Sequence, residues 1–434
     1  MSATKVNVGN NKKDCDVHLC PGQNLYSGIN YFTDEFSKAD SLEEDLFNLA
    51  SGIYATDLAV HRQDREHYIR TIDLNVEVVN LHAFARIKSL LESALFTVSR
   101  DNWNINFVQK KGAAVTNFDW QNNEGAVLLF SGGIDSMCAA AQFVSEKRNL
   151  VLVSHNSHGN HVIDSCQRNV HAALEKHFTQ TIKHIHIKVY GRKHGSYKFP
   201  EPGDRENTQR TRSFLFLTLA ALVTRRSGFN KVLYMAENGQ FAIHLPLNQA
   251  RVGPFSTHTA DPQFVSDAQE IFRTLLSNPA FEIQNPFLYK TKAEVFAVLP
   301  AALQKEVHHS ASCWKISHVP RNQHCGFCIP CISRRIAIEF NGINVNEYHF
   351  DIFKADLNTL RDDDDKKRNL IDYLEFVSKF KFVTRANQND LLNEFPELYN
   401  TAFNKDKALN LYERVSAQSF SVFKKYPQVL KIIG

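Results

Sequence analysis

The chain has 434 residues, of which 43% are hydrophobic and 22% charged, an ordinary balance for a soluble globular protein of two or three domains. Its formal net charge of +4 is too mild to argue for nucleic acid. The longest apolar run, Phe214 to Val223, falls short of the roughly 20 residues that span a bilayer.

Residues 1–40 are polar, with many Asn, Asp and Gly, and predict an irregular arm. The opening has no apolar stretch of the secretory kind, so a cytoplasmic location is expected. Cys15, His18 and Cys20 lie close together here, but no second ligand pair accompanies them. Residues 41–122 read as a small α+β module. Leu42, Leu46, Leu49 and Ile53 recur at helical spacing. Thr71–Val79 and Trp103–Val108 alternate as half-buried strands do, with a helix from Ala83 to Ala94 between them. Trp103 and Phe107 are expected in the core.

Residues 123–340 form the central domain, and its first part alternates strand and helix. Strands are expected at 126–130, 150–154, 184–189 and 231–236. Helices are expected at 136–146, 162–177, 208–226 and 267–276. Short apolar strands between amphipathic helices predict an α/β fold with a doubly wound parallel sheet. Ligands in such folds sit at the carboxyl ends of the strands. That rule singles out Ser131–Ser136, Ser154–His158 and Glu237–Gln240. Residues 341–434 predict a helical C-terminal region, and Asp362–Arg368 a solvated charged stretch.

The segment Ser131-Gly132-Gly133-Ile134-Asp135-Ser136 joins the first of these strands to a helix. Two glycines allow a tight turn and close approach of phosphate. The helix start points free amides and positive dipole at an anion. Ser131 and Ser136 supply hydroxyl donors. Asp135 would repel phosphate unless a cation bridges it, so it is assigned to Mg²⁺. The Walker pattern GxxxxGK[ST] is absent. SGGIDS resembles the PP-loop of ATP pyrophosphatases, with the HUP-like sheet that family has. The resemblance implies cleavage of ATP between its α and β phosphates, with the nucleotide held by residues 131–136, and the strand-end rule adds Ser154 to that site.

Four of eight cysteines fall within nineteen residues: Cys313, Cys325, Cys328 and Cys331. Gly326 permits a tight knuckle. Four thiolates suit a closed, tetrahedral, structural Zn²⁺. An iron–sulfur cluster is the competing reading, although no fourth cysteine follows at the ferredoxin spacing.

Together, LLFSGGIDS, NPFLYKTKAEV and SCW…HCGFCIPC resemble the QueC family of 7-cyano-7-deazaguanine synthases over about residues 124–340. The resemblance implies an enzyme that adenylates a 7-deazaguanine carboxylate and then admits an amine. It also matches Lys292, in the segment Lys292-Ala293-Glu294, to a lysine that reaches the ATP phosphates. The chain departs from QueC in length and in the segment after Ala236-Glu237-Asn238-Gly239, where the expected tyrosine and aspartate are missing. Its outline resembles the longer QatC type of bacterial anti-phage operons. That resemblance implies transfer of the deazaguanine acyl group to an amine of a partner protein.

Asp135, Ser136 and Lys292 are therefore the expected catalytic set, with ATP, Mg²⁺ and Zn²⁺ as cofactors. Glu237 and Asn238 are placed to read a base edge or to cap a loop. Arg210 and Arg212 start a helix and are candidates for pairing with phosphate or carboxylate. His155 and His158 end the second strand near the expected adenine. A tRNA-modifying PP-loop enzyme and an ATP-gated defence scaffold are the rival readings. The first needs an RNA-binding surface, and the second needs no pyrophosphate release.

Overall fold

The computed structural model describes residues 3–12, 14–62, 68–115, 120, 123–157, 161–229, 232–248, 259–320, 323–344, 348–384 and 386–433. In chain order the strands are β1 (Thr4–Val8), β2 (Val17–Leu19), β3 (Leu25–Tyr26), β4 (Thr71–Val78), β5 (Asn102–Gln109), β6 (Ala126–Leu129), β7 (Leu150–Asn156), β8 (Lys183–Lys188), β9 (Tyr190–Gly191), β10 (Val232–Tyr234) and β11 (Glu282–Gln284). The helices are α1 (Ile29–Phe36), α2 (Ser41–Ala59), α3 (Leu81–Ser99), α4 (Ile134–Ser145), α5 (His161–Phe178), α6 (Arg212–Ser227), α7 (Gly239–Ile243), α8 (Pro262–Leu275), α9 (Lys292–Phe296), α10 (Ala301–Gln304), α11 (Ile329–Phe340), α12 (Asp365–Lys379), α13 (Gln388–Glu394), α14 (Lys405–Phe423) and α15 (Pro427–Leu430).

The first sheet is parallel, in the order β2-β1-β4-β5. The expected irregular arm is thus in part a central strand. Val6 and Val8 of β1 and Leu19 of β2 are buried on one face with Ile72, Leu74 and Val76 of β4. On the other face Asn7, Asn75 and Asn106 hydrogen-bond in a row across three strands. The five-residue strand β1 was disguised by Asn7 within it and by Gly9, Asn10 and Asn11 after it, because the composition reads as loop while the pleat satisfies both faces. The module's strands are parallel with helical crossovers, so it is α/β where α+β was expected.

The central sheet is also parallel, in the order β11-β10-β6-β7-β8. Alternate residues feed two cores. Val127, Val151, Val153 and Leu233 face α6 and α8. Ala126, Leu128, Leu150 and Leu152 face α4 and α5 on the other side. The expected helix starting at 208 begins at Arg212, and the short strand β11 was not foreseen.

The first module packs directly on the central sheet's cover, with α2 against α6 and α3 against α8. One continuous core runs from Val6 to Ile283 through both. Helix α2 opens on a capping box between Asp40 and Glu43 and is buried almost throughout its length. The C-terminal helices α12 to α15 gather around their own core, which includes Ile332 and Ile336 of α11. No helix among the described residues is long and apolar enough to cross a membrane.

Candidate active site and cysteine centre

The loop after β6 has the form its sequence requires. Gly132 sits at φ +77, and a Cβ there would lie 2.9 Å from the Gln167 amide nitrogen. Gly133 is the N-cap of α4. The Ser131 hydroxyl accepts from the Gly133 amide at 3.3 Å, and Ser136 Oγ donates to the Gly133 carbonyl at 3.1 Å. Ile134 is buried beneath the turn. Two hydroxyls and a helix start therefore converge on one point, as an anion site needs.

Asp135 lies buried at the centre of a charged cluster. Lys292 Nζ reaches its two oxygens at 2.9 and 3.1 Å. Asn238 Nδ2 donates to the same carboxylate at 2.8 Å and to Glu237 Oε1 at 3.0 Å. Burial disfavours the Asp135 charge, but Lys292 outweighs it and holds the carboxyl below its usual range. Glu237 goes the other way. Burial and then the Asp135 charge push it well above the ordinary carboxylate value. Lys292 is presented at the first turn of α9 by a Thr291–Glu294 capping box. The KxE spacing thus has a local cause: the glutamate caps the helix that aims the lysine.

Two connected cavities open from this cluster. The smaller, about 200 Å³, is lined by Ser131, Gly133, Asp135, Glu237, Lys292 and Ser312. The larger, about 750 Å³, shares Ser131, Glu237, Phe241, His244 and Trp314 with it and extends to Arg212, Phe216, Met235, Gln240, Leu245 and Phe376. Its walls combine apolar side chains with polar ones such as Asn207, Gln209, Arg212, Glu237 and Gln240, as small-molecule sites do.

The structure brings together Ser131, Gly133, Asp135, Lys292, Glu237 and Asn238. Ser154 stands apart: its hydroxyl lies 2.5 Å from the Phe130 carbonyl and 2.7 Å from His184 Nε2, under the sheet. His155 is wedged between Tyr54 and Phe216 and bonds the Val189 carbonyl at 3.1 Å. His158 lies outside the described residues. Arg210 does not face the site. It bonds the Ser99 carbonyl at 3.0 Å and stacks on Tyr68, at the junction with the first module. Trp314, 56% exposed, and Phe376 were not foreseen as cavity walls. The adjacency of Trp314 to Cys313 was the available signal for one of them.

Cys313, Cys325, Cys328 and Cys331 are buried and unbridged, with their sulfurs within 4.8 Å of one another. Neighbouring pairs stand 3.3 to 4.0 Å apart. A tetrahedron of thiolates about 2.3 Å from zinc has edges of about 3.8 Å, so the donor set fits that ion. The amides of Lys315 and Cys325 donate to Cys313 Sγ at 3.2 and 3.3 Å and offset thiolate charge. Gly326 sits at φ +86, where a Cβ would strike the Phe350 carbonyl at 2.0 Å. Cys15 and Cys20 instead make local contacts with the Lys12 carbonyl and Asn10.

No curated protein matches the chain. The family model described as queuosine biosynthesis protein QueC matches residues 125–342, half of the chain. That span holds the phosphate loop, the Asp135–Lys292 cluster and the four-cysteine centre, and the chain belongs to the QueC family.

Proposed function

We propose that the protein adenylates the carboxylate of a 7-deazaguanine acid with ATP and passes the acyl group to an amine, most simply one carried by a partner protein. Family membership makes it an ATP-using PP-loop enzyme with a deazaguanine-type substrate. The finer reading is supported by one arrangement: the Asp135–Lys292–Asn238–Glu237 cluster at the loop opens onto a cavity of about 750 Å³ with aromatic walls.

In this reading residues 131–136 hold the β and γ phosphates. Lys292 exchanges its Asp135 partner for phosphate oxygens. Asp135 and Glu237 are the oxygen donors that would hold Mg²⁺, which neutralises phosphate charge when bound. A carboxylate oxygen of the acid attacks the α-phosphorus, and the bond to the β-phosphate oxygen breaks, releasing pyrophosphate. The amine nitrogen then attacks the acyl carbon, AMP leaves with the electron pair of the C–O bond, and the amine loses a proton to water. Catalysis is chiefly positioning and charge neutralisation. The four cysteines hold Zn²⁺ as a structural ion. The chain length and the helices after residue 342 favour the longer, anti-phage type of the family, working in the cytoplasm.

The test is pyrophosphate and AMP release from Mg·ATP with and without 7-carboxy-7-deazaguanine, read beside the mass of co-expressed neighbouring proteins. Acid-dependent release together with a mass adduct supports the reading. Release that ignores the acid sinks it. Efficient nitrile formation from ammonia alone replaces protein modification with the simpler synthase activity.

A further inference from the structure

We infer that Arg212 is the anchor for a carboxylate of the second substrate, at the wall of the larger cavity. The inference rests on the reading of that cavity as the acid's site.

Arg212 is the first residue of α6, and its position is set by the first module. Asp57 of α2 accepts from the Thr211 amide at 2.9 Å and from its hydroxyl at 3.1 Å, fixing the start of the helix. The Asp57 charge is consumed by Arg70 at 2.5 Å. Glu206, nearby in sequence, accepts from the amides of Arg62 and Thr208 at 3.0 and 3.1 Å. The acids of this corner are therefore committed elsewhere.

The Arg212 guanidinium stacks 4.7 Å from the Phe216 ring centroid. Its Nε is buried without a hydrogen bond, and among the described residues its side chain has no carboxylate partner. Burial lowers its pKa, and no carboxylate offsets that effect. Neighbouring Arg210 bonds the Ser99 carbonyl, and Arg70 holds two aspartates. A partly buried cation without a counter-ion costs stability. Proteins retain such costs where a ligand supplies the missing charge.

The surroundings select the kind of anion. Glu237 is the other acid or base of Asp, Glu, Lys or Arg type on this wall, and burial and the Asp135 charge favour its neutral form. The cavity thus favours a negative ligand. Leu129, Phe216, Met235, Leu245 and Phe376 give it flat apolar sides. A planar guanidinium backed by an aromatic ring pairs edge to edge with a carboxylate in the plane of an aromatic acid.

The experiment compares wild type with Arg212→Met and Arg212→Lys in the full chain. Binding of Mg·ATP and of 7-carboxy-7-deazaguanine is measured by calorimetry, beside melting temperatures. Arg212→Met is expected to lose tenfold or more in acid affinity, to keep ATP affinity within twofold, and to melt no lower than wild type. Binding of 7-deazaguanine, which lacks the carboxylate, should be equal in both. Unchanged acid affinity, or loss of ATP affinity instead, overturns the inference, and so does a marked fall in melting temperature. If wild type ignores the deazaguanine acid, the proposed substrate falls, and benzoate and indole-3-carboxylate then decide for Arg212. A thermal upshift by these acids in wild type but not in Arg212→Met sustains it, and equal or absent shifts reject it.

Discussion

The Ala311 amide donates to the Gly132 carbonyl at 2.9 Å, which ties the phosphate loop to the segment that delivers Cys313 two residues later. Buried Arg334 of α11 fixes the same segment, bonding Ser310 Oγ at 2.8 Å, Ser312 Oγ at 3.3 Å and the Val307 carbonyl at 2.8 Å. The cysteine centre and the nucleotide loop are thus one mechanical unit.

Metal removal is therefore expected to act on ATP binding. Purified protein should carry about one zinc per chain. Gentle chelation should weaken ATP binding tenfold or more before the helical circular dichroism is lost. Cys328→Ala should misfold, because structural zinc binding is folding free energy. Full ATP affinity in a folded, zinc-free chain would show that the Ala311–Gly132 link transmits nothing. Brown protein absorbing near 400 nm, roughly the iron–sulfur range, would replace zinc with a cluster.

Asp135→Asn and Ser136→Ala should each cut ATP turnover roughly 10²-fold or more, the usual effect of losing a contact made to developing charge. Asparagine is the cleaner choice at 135. It keeps an oxygen to accept from Lys292 Nζ, whereas alanine removes that acceptor as well as the counter-charge and strands the buried cation at a cost of about 3–5 kcal/mol in stability. Turnover near that of wild type in both variants rejects the loop as the catalytic site.

The C-terminal helices brace the cavity. Tyr412 of α14 accepts from the Leu245 amide at 3.1 Å and donates to the Gln240 carbonyl at 3.3 Å. Gln240 also donates to Tyr373 at 3.5 Å and accepts from Ser333 at 3.3 Å. Tyr412→Phe leaves a buried amide unsatisfied, which costs about 1–3 kcal/mol. Its KM should rise for the acid and stay constant for ATP. An equal rise for both would mean that the brace serves the fold alone.

Acid should destabilise the protein before its carboxylates titrate. Burial and then the Arg212 charge push His155 down to about 3. Burial and then the charges of His186 and His171 push His184 down to about 2. Both imidazoles are neutral in the fold, while unfolded histidine titrates near 6.5. Their stability is complete above that value and is lost as pH falls toward the folded pKa values. Each contributes up to about 1.4 kcal/mol per pH unit. Urea titrations between pH 7 and 4.5 should show this slope, and His155→Gln should make it shallower. A flat profile across that window contradicts the neutral, buried assignment.

The phosphate loop and the cysteine knuckle were legible in the sequence because each is nearly contiguous, and their backbone demands fall on Gly132 and Gly326. The place of Lys292 beside Asp135 accords with the family resemblance of its segment, whereas the Thr291–Glu294 cap that aims it was not read from the sequence. The state of an arginine is a different matter. Arg210 and Arg212 look alike in the sequence, yet Ser99 and Tyr68 occupy the first while Asp57 turns to Arg70 and leaves the second open. Those outcomes depend on partners more than a hundred residues away, which local pattern does not encode. Phe376 and Tyr412 escaped for the same reason. Strand β1 escaped because only Val6 and Val8 mark its buried face and Gly9, Asn10 and Asn11 follow at once.

The core that runs from Val6 to Ile283 has a consequence for how such a chain is cut or combined. The stretch matched by the family model, 125–342, shares its core with the residues that precede it. Expressed alone, it would present the apolar sides of α6 and α8 to water, including Phe214 and Phe272, which α2 and α3 otherwise help to cover. Such a fragment would aggregate. A chimera that grafts this segment onto another family member must carry the first 115 residues with it, or rewrite that surface as a polar one.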